Sequence, residues 1–195
     1  GGFETAYGNS RRQYRESNGN YTWHCMYAFP VKKGSDRGLL SAWHCENGHN
    51  DRARAMHPTV NGILEDFTVA GEDFNDDVQW DKADSASEVA AQFYNGSAVV
   101  DLLSKTWSHP IGAWVCNWGR ITGADCGTVT DNRYDPSWLQ TDYYVYVDGG
   151  ATNVSDNGDS GMGWFSGKTA YGVHSGGSGN DGWYMPVTRY EQNPP

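Results

Sequence analysis

The chain has 195 residues, a formal net charge of −10, and only 14 Lys and Arg, scattered along its length. That balance argues against nucleic-acid binding, which needs clustered cations, and no apolar run nears the roughly 20 residues of a membrane-spanning helix. Apolar content is 37%, but 14% of the chain is aromatic, enough at this length for a packed single-domain core.

The chain opens Gly1-Gly2-Phe3 with no Met, which suggests a processed, mature form. Short apolar or alternating runs follow at residues 25–31, 38–42, 62–69, 113–117, 143–147, 169–173 and 183–187. Gly, Asn and Asp clusters separate them. Short strands at such spacing predict an all-β sandwich or barrel. Residues 85–94 carry the one helix-like pattern (Ala86, Val89, Ala90, Phe93), equally compatible with strand and loop. Turn residues and His109-Pro110 interrupt the pattern around residues 96–112, a soft midpoint within one domain.

Cys25, Cys45, Cys116 and Cys126 allow three disulfide connectivities. Local closure favours Cys25–Cys45 and Cys116–Cys126, and disulfides point to a secreted, extracellular protein. The rival is a metal site from His24-Cys25 and His44-Cys45. Adjacent His-Cys pairs suit a single tetrahedral site poorly, so no metal is expected there. The acidic run at residues 72–84 lacks the spacing of a calcium loop. No cofactor is expected.

Three segments carry chemistry. In Gly38-Leu39-Leu40-Ser41-Ala42-Trp43-His44-Cys45 a short apolar strand delivers a histidine beside a probable disulfide. In Gly158-Asp159-Ser160-Gly161 a glycine turn lets the amides of Gly158 and Ser160 face one point, where they can hold an oxyanion. Serine is a weak nucleophile and needs a base. In Asn75-Asp76-Asp77-Val78-Gln79-Trp80 a buried carboxylate can orient that base. Asp73, Asp76 and Asp77 compete for the role. Asp77 is favoured because it leaves Val78 and Trp80 at apolar positions of the following strand. The order His, Asp, Ser is that of chymotrypsin rather than of subtilisin or the α/β-hydrolases.

With these motifs the sequence resembles the chymotrypsin-like serine endopeptidases, especially the bacterial streptogrisin and alpha-lytic branch. Residues 38–45 look like its strand ending in the catalytic His-Cys, and residues 115–129 are similar to its second disulfide loop. Gly158-Asp159-Ser160-Gly161 looks like its nucleophile turn, and residues 171–179 like its pocket strand. Phe93-Tyr94-Asn95-Gly96 and Met185-Pro186-Val187-Thr188 also match. The resemblance runs in order from about residue 21 onward. It implies two antiparallel β-barrels, about 1–100 and 108–195, with the site between them. It makes His44 the general base, Asp77 its orienter and Ser160 the nucleophile, with Gly158 and Ser160 as the oxyanion hole. Ser175 would support the buried Asp, and Ser175, Gly176 and Gly177 would pair with a polypeptide substrate as an added strand. A pro-segment during folding and a monomeric product are also implied.

His174 in the pocket strand is similar to the histidine of the glutamate-specific subgroup, and Ser155 to its serine hydroxyl. A ring N–H can donate to a substrate carboxylate. The subgroup carries serine where this chain has Gly177, and the expected pocket disulfide is replaced by Val154 and Asn180. Asn117 stands where an Arg usually pairs with the Asp beside the nucleophile, so Asp159 needs another partner, with Arg120 a candidate. The competing reading of His174 is a packed wall residue in an apolar pocket. His24, His49, His57 and His109 have no evident partner and are read as surface or packing residues. A non-catalytic homologue acting as a binding module is the rival function, and the intact His44, Asp77 and Ser160 set favours the enzyme.

Overall fold

The computed structural model describes residues 5–45, 52–138 and 141–192; the Gly1 start and His49 lie outside them. Nearly all of the regular secondary structure of the described residues is strand. Ten belong to the first half: β1 (Ala6–Gly8), β2 (Arg11–Arg15), β3 (Tyr21–Met26), β4 (Pro30–Lys33), β5 (Asp36–Ser41), β6 (Arg52–Met56), β7 (Ile63–Asp73), β8 (Val78–Ala83), β9 (Val89–Tyr94) and β10 (Val99–Asp101). The second half adds β11 (Ser104–Lys105), β12 (Trp114–Gly119), β13 (Gly123–Tyr134), β14 (Tyr144–Asp148), β15 (Gly163–Ser166), β16 (Thr169–Ser178) and β17 (Asp181–Pro186), then a short helix α1 (Val187–Gln192). Residues 85–94 resolve into one 3₁₀ turn at Ala86–Glu88 and strand β9, because Val89, Phe93 and Tyr94 pair with β1 and β10.

The first half forms an antiparallel sheet in the order β3-β2-β6-β7-β8-β5-β4. Residues 27–29 curl it closed: Tyr27 N donates to Ser10 O, Ala28 N to Leu40 O, and Leu40 N to Phe29 O. The second half runs β11-β16-β15-β12-β13-β14-β17, and β17 pairs back onto β16 to close a six-stranded barrel. The expected pair of antiparallel barrels is therefore what forms. Closure removes the unpaired edges that an open sheet would expose. Each half has its own core, built around Tyr27, Leu64 and Phe67 in the first and Val115, Val147 and Trp164 in the second. A third cluster joins Phe29, Leu40 and Trp80 to Tyr144, Phe165 and Met185. This seam glues the barrels together; each fully buried large side chain contributes about 1.5–3 kcal/mol.

Both predicted disulfides form, Cys25–Cys45 and Cys116–Cys126, the second joining directly opposed residues of β12 and β13. Inside the first barrel Arg12 is fully buried. It donates to Asp81 Oδ2 at 3.1 Å, where Tyr27 Oη also donates at 2.5 Å, while Gln79 Nε2 donates to Asp81 Oδ1 at 2.9 Å. A buried charge persists only when paired and hydrogen-bonded in this way. Arg12 also reaches Cys45 O at 3.4 Å, so the network ends beside the functional site.

Candidate active site

His44 sits in a 3₁₀ turn, Trp43–Cys45, one residue past the end of β5. Its backbone N donates to Asp77 Oδ1 at 2.9 Å, and its Nδ1 lies 2.8 Å from Asp77 Oδ2. A carboxylate can only accept, so Nδ1 carries the proton and Nε2 is the basic atom. Asp77 is fully buried in the turn between β7 and β8. Its φ of +49° is a left-handed conformation that Asp tolerates better than most residues. Ser175 Oγ donates to the same Oδ2 at 2.5 Å. Asp76 faces elsewhere: its carboxylate lies 3.4 Å from Arg189 Nε. Burial, with Asp73 close by, raises its pKa to about 6 against the pull of Arg189. Tyr144 Oη, from the second barrel, donates to Asn75 O and braces the loop.

Ser160 is held by its backbone. Its carbonyl accepts from Met26 N at 2.8 Å, and Cys45 Sγ lies 3.8 Å from the same oxygen. The disulfide thus touches both the residue after His44 and the seat of Ser160. Among the described residues Ser160 Oγ has no hydrogen-bond partner; bonds to a nucleophile often tighten only when substrate binds. Gly161 has φ +89°, and a Cβ there would come within 2.3 Å of Met26 O. Only glycine fits that junction.

The amides around Ser160 divide cleanly. Asp159 N, Gly161 N and Met162 N donate to Asp156 O, His174 O and Asp159 O. Among the described residues Gly158 N and Ser160 N donate to no protein acceptor. Two unspent donors in one tight turn are what an oxyanion requires. Asp159 is fully buried and accepts from Ile121 N, Thr122 Oγ1 and Asp156 N at 2.8, 2.7 and 3.0 Å. Arg120, the candidate partner, donates its Nε to Gly158 O at 3.0 Å and acts on Asp159 through charge rather than a hydrogen bond.

Beside Ser160 lies a cavity of about 170 Å³ lined by Ser155, His174, Gly176 and Gly177, with Asn153 and Asp156 among the others. Every lining residue is polar or glycine. The side chain of Ser175 points away from it, to Asp77, as strand alternation requires. Gly176 and Gly177 pair with β17, with Ser175 at a bulge between His174 and Gly176, whereas the β15 pairing of this strand stops at Val173. One backbone edge is left for an added strand. A larger cavity, about 900 Å³, is lined by Phe29, Trp80, Leu102 and Lys105 and contains none of these groups. Chemistry, not size, singles out the smaller one.

Sequence reasoning missed several partners. Trp164 Nε1 donates to His174 Nδ1 at 3.0 Å. Burial, with His44 nearby, lowers the His174 pKa to about 3. His109 does have a partner, Tyr184 Oη at 2.8 Å, and burial lowers its pKa to about 4. Trp138 packs edge-on to the His44 ring, centroids 6.0 Å apart. The missing pocket disulfide is replaced by Val154 N donating to Asn180 O at 3.3 Å. The sulfurs of Cys25 and Cys45, which lie close to His44, are joined to each other in the disulfide.

No model of a known protein family matches the sequence. Individual proteins do. The chain is 31% identical over 170 residues to glutamyl endopeptidase 2 of Streptomyces griseus, covering 85% of this chain and 87% of that one. It is 32% identical over 174 residues to streptogrisin-C of the same organism, where it spans 34% of the longer protein. Among solved structures, Cellulomonas bogoriensis chymotrypsin superposes with a TM-score of 0.70 at 27% identity, covering 97% of this chain and 95% of that one. A glutamic-acid-specific serine protease that utilizes a histidine triad in substrate binding superposes with a TM-score of 0.74 at 23% identity, over 96% of each chain.

Proposed function

The chain belongs to the chymotrypsin-like bacterial serine endopeptidases, the family of its streptogrisin and glutamyl endopeptidase relatives, and from that premise we propose a secreted enzyme that cuts after Glu through an acyl-enzyme at Ser160. The observation that carries the catalytic part is the convergence of His44 Nδ1, His44 N and Ser175 Oγ on the buried Asp77 carboxylate. With Nδ1 protonated, His44 Nε2 takes the Ser160 proton as Oγ attacks the scissile carbonyl. The amides of Gly158 and Ser160 receive the resulting oxyanion. The imidazolium, stabilised by Asp77, then protonates the leaving amine. Water repeats the sequence on the ester and frees Ser160. Residues 175–177 hold the substrate backbone as an added strand.

The Glu preference is supported by the pocket's polar lining, by His174 and Ser155 within it, and by the likeness to glutamyl endopeptidase 2. A pocket for Leu or Phe would call for apolar side chains in its walls, and this one is lined by polar residues and glycine. In this chain the ring bonded to His174 is the indole of Trp164. Two disulfides support an extracellular setting.

The test is a cleavage map. An unfolded protein is digested with this enzyme and with its Ser160→Ala variant, and the new C-termini are read by mass spectrometry. Termini at Glu are expected ahead of any at Leu, Phe or Tyr. Termini at Leu, Phe or Tyr would remove the Glu preference and keep the protease. No cleavage above the Ser160→Ala control would overturn the catalytic reading.

A further inference from the structure

His174 is almost fully buried and lines the pocket, yet one of its two ring nitrogens is already committed. The indole of Trp164, itself fully buried on β15, donates to His174 Nδ1 at 3.0 Å. An indole N–H is a donor only. It can satisfy Nδ1 only while that atom carries no proton, so the ring's single proton sits on Nε2. Protonating Nδ1 would set two N–H groups head to head inside the core, at the cost of an unmade buried hydrogen bond.

The surroundings offer nothing to offset that cost. Of the groups packed around the ring, His44 is the charge that acts on it, and it disfavours a cation. Tyr184, across from His174 on β17, packs tilted against Trp164 and is hydrogen-bonded to His109. Asp77, hydrogen-bonded to the neighbouring Ser175, is occupied by Ser175 and His44. Among the described residues no carboxylate is bonded to the His174 ring. The one acidic side chain lining the pocket is Asp156, whose Oδ1 accepts from Asn157 N.

We propose that Trp164 is a positioning residue that locks His174 in its neutral Nε2–H tautomer, so that the pocket recognises an acceptor oxygen, carboxylate or carboxamide, and not a negative charge. This rests on the Glu-directed pocket proposed above and changes its substrate class: peptides with Gln before the scissile bond are turned over alongside those with Glu. A cationic imidazole would separate the two strongly, because charge-assisted bonds to carboxylates are roughly twice as strong as neutral ones. A neutral donor serves both.

Two readouts test this. In ¹⁵N-histidine spectra of the intact enzyme, His174 is expected to show an unprotonated Nδ1 and a protonated Nε2, unchanged from pH 5 to 9. Titration within that range, or a proton on Nδ1, overturns the lock. In parallel, kcat/KM is measured on matched peptides with Glu or Gln before the scissile bond. A Glu to Gln ratio under about tenfold, the scale of one hydrogen bond, flat from pH 6 to 8, is expected. A ratio above about a hundredfold that climbs as pH falls overturns the claim that charge is not recognised. Trp164→Phe should lower turnover of both peptides about tenfold and leave the rate of Ser160 labelling by a small fluorophosphonate unchanged. Equal loss of labelling would assign Trp164 a merely structural role. Turnover confined to Leu or Phe peptides defeats the Glu-directed pocket and the substrate claim built on it, while the ¹⁵N spectrum still decides the lock.

Discussion

Ser175 donates its hydroxyl to Asp77 at 2.5 Å across 98 residues of sequence, from the wall of one barrel to a turn of the other. Asp77 is fully buried, and its Oδ2 also faces His44 Nδ1. One oxygen therefore couples the orientation of the His44 ring to the docking of the two halves.

Asp77→Asn should keep the fold, since Asn accepts the same left-handed backbone, and lower kcat by about 10³–10⁴-fold through the wrong His44 tautomer. Ser175→Ala should lower kcat about tenfold, the scale of one hydrogen bond, with KM little changed. Asp76→Asn, facing Arg189, should leave kcat near that of the parent. Steady-state kinetics on one peptide separates the three. A kcat for Asp76→Asn as low as that for Asp77→Asn would reverse the assignment.

The two disulfides should differ in what they protect. Their sequence separations are 20 and 10 residues, for which loop closure gives about 3 kcal/mol each, slightly more for the longer. Cys25→Ala/Cys45→Ala should lower stability in urea by that amount and also slow fluorophosphonate labelling of Ser160. Cys116→Ala/Cys126→Ala should lower stability and leave labelling intact. Equal labelling of both variants would show that the first bridge does not position the nucleophile.

His109 sets an acid limit. Its pKa is lowered to about 4 by burial, against an ordinary 6.5. A base with a depressed folded pKa is neutral in the fold while the unfolded chain takes up protons, so stability is lost as pH falls from 6.5 towards 4. Asp76 works the other way. Its raised pKa makes the fold bind the extra proton, which adds stability as pH falls from about 6 towards 3.8. His109→Gln should reduce the loss between pH 6.5 and 4.5 by about 1–2 kcal/mol, measured by urea midpoints. An unchanged slope would mean that His109 is not held neutral.

Gly177→Ser is the intuitive way to add a donor to the pocket, and it should fail. A Cβ at Gly177 would come within 2.5 Å of Ser155 Oγ and 2.6 Å of Asp181 O, the latter backbone. The variant should lose kcat/KM on Glu peptides by about tenfold, since Ser155 must move to admit it. A gain would show that the wall can yield.

How much of this was legible in the sequence depended on range. His44 and Ser160 lie in local motifs, so their roles suggested themselves without a fold. The barrels followed from short strands between turn residues. Asp77 was chosen because Val78 and Trp80 look buried, but Gln79 and Asp81 are buried too, within the Arg12 network. The burial pattern alone did not distinguish the candidates; the turn geometry that aims Asp77 at His44 does. Residues 85–94 were ambiguous because their apolar spacing fits both periods, and pairing with β1 and β10 decided for strand. Arg12, Trp164 and His109 were missed for one reason. Each is defined by a partner brought close only by the fold: Asp81 69 residues away, Tyr184 75 away, and His174 on the neighbouring strand.

The hydrogen bond from Met26 N to the Ser160 carbonyl gives the barrel seam a second meaning. Ser160 belongs to one half by sequence and is moored to the other by its own backbone. Prying the halves apart breaks this bond together with the apolar seam that joins them. Separation should therefore inactivate the enzyme, and a molecule damaged at the seam would fall silent, sparing its neighbours from a protease with a misaligned site.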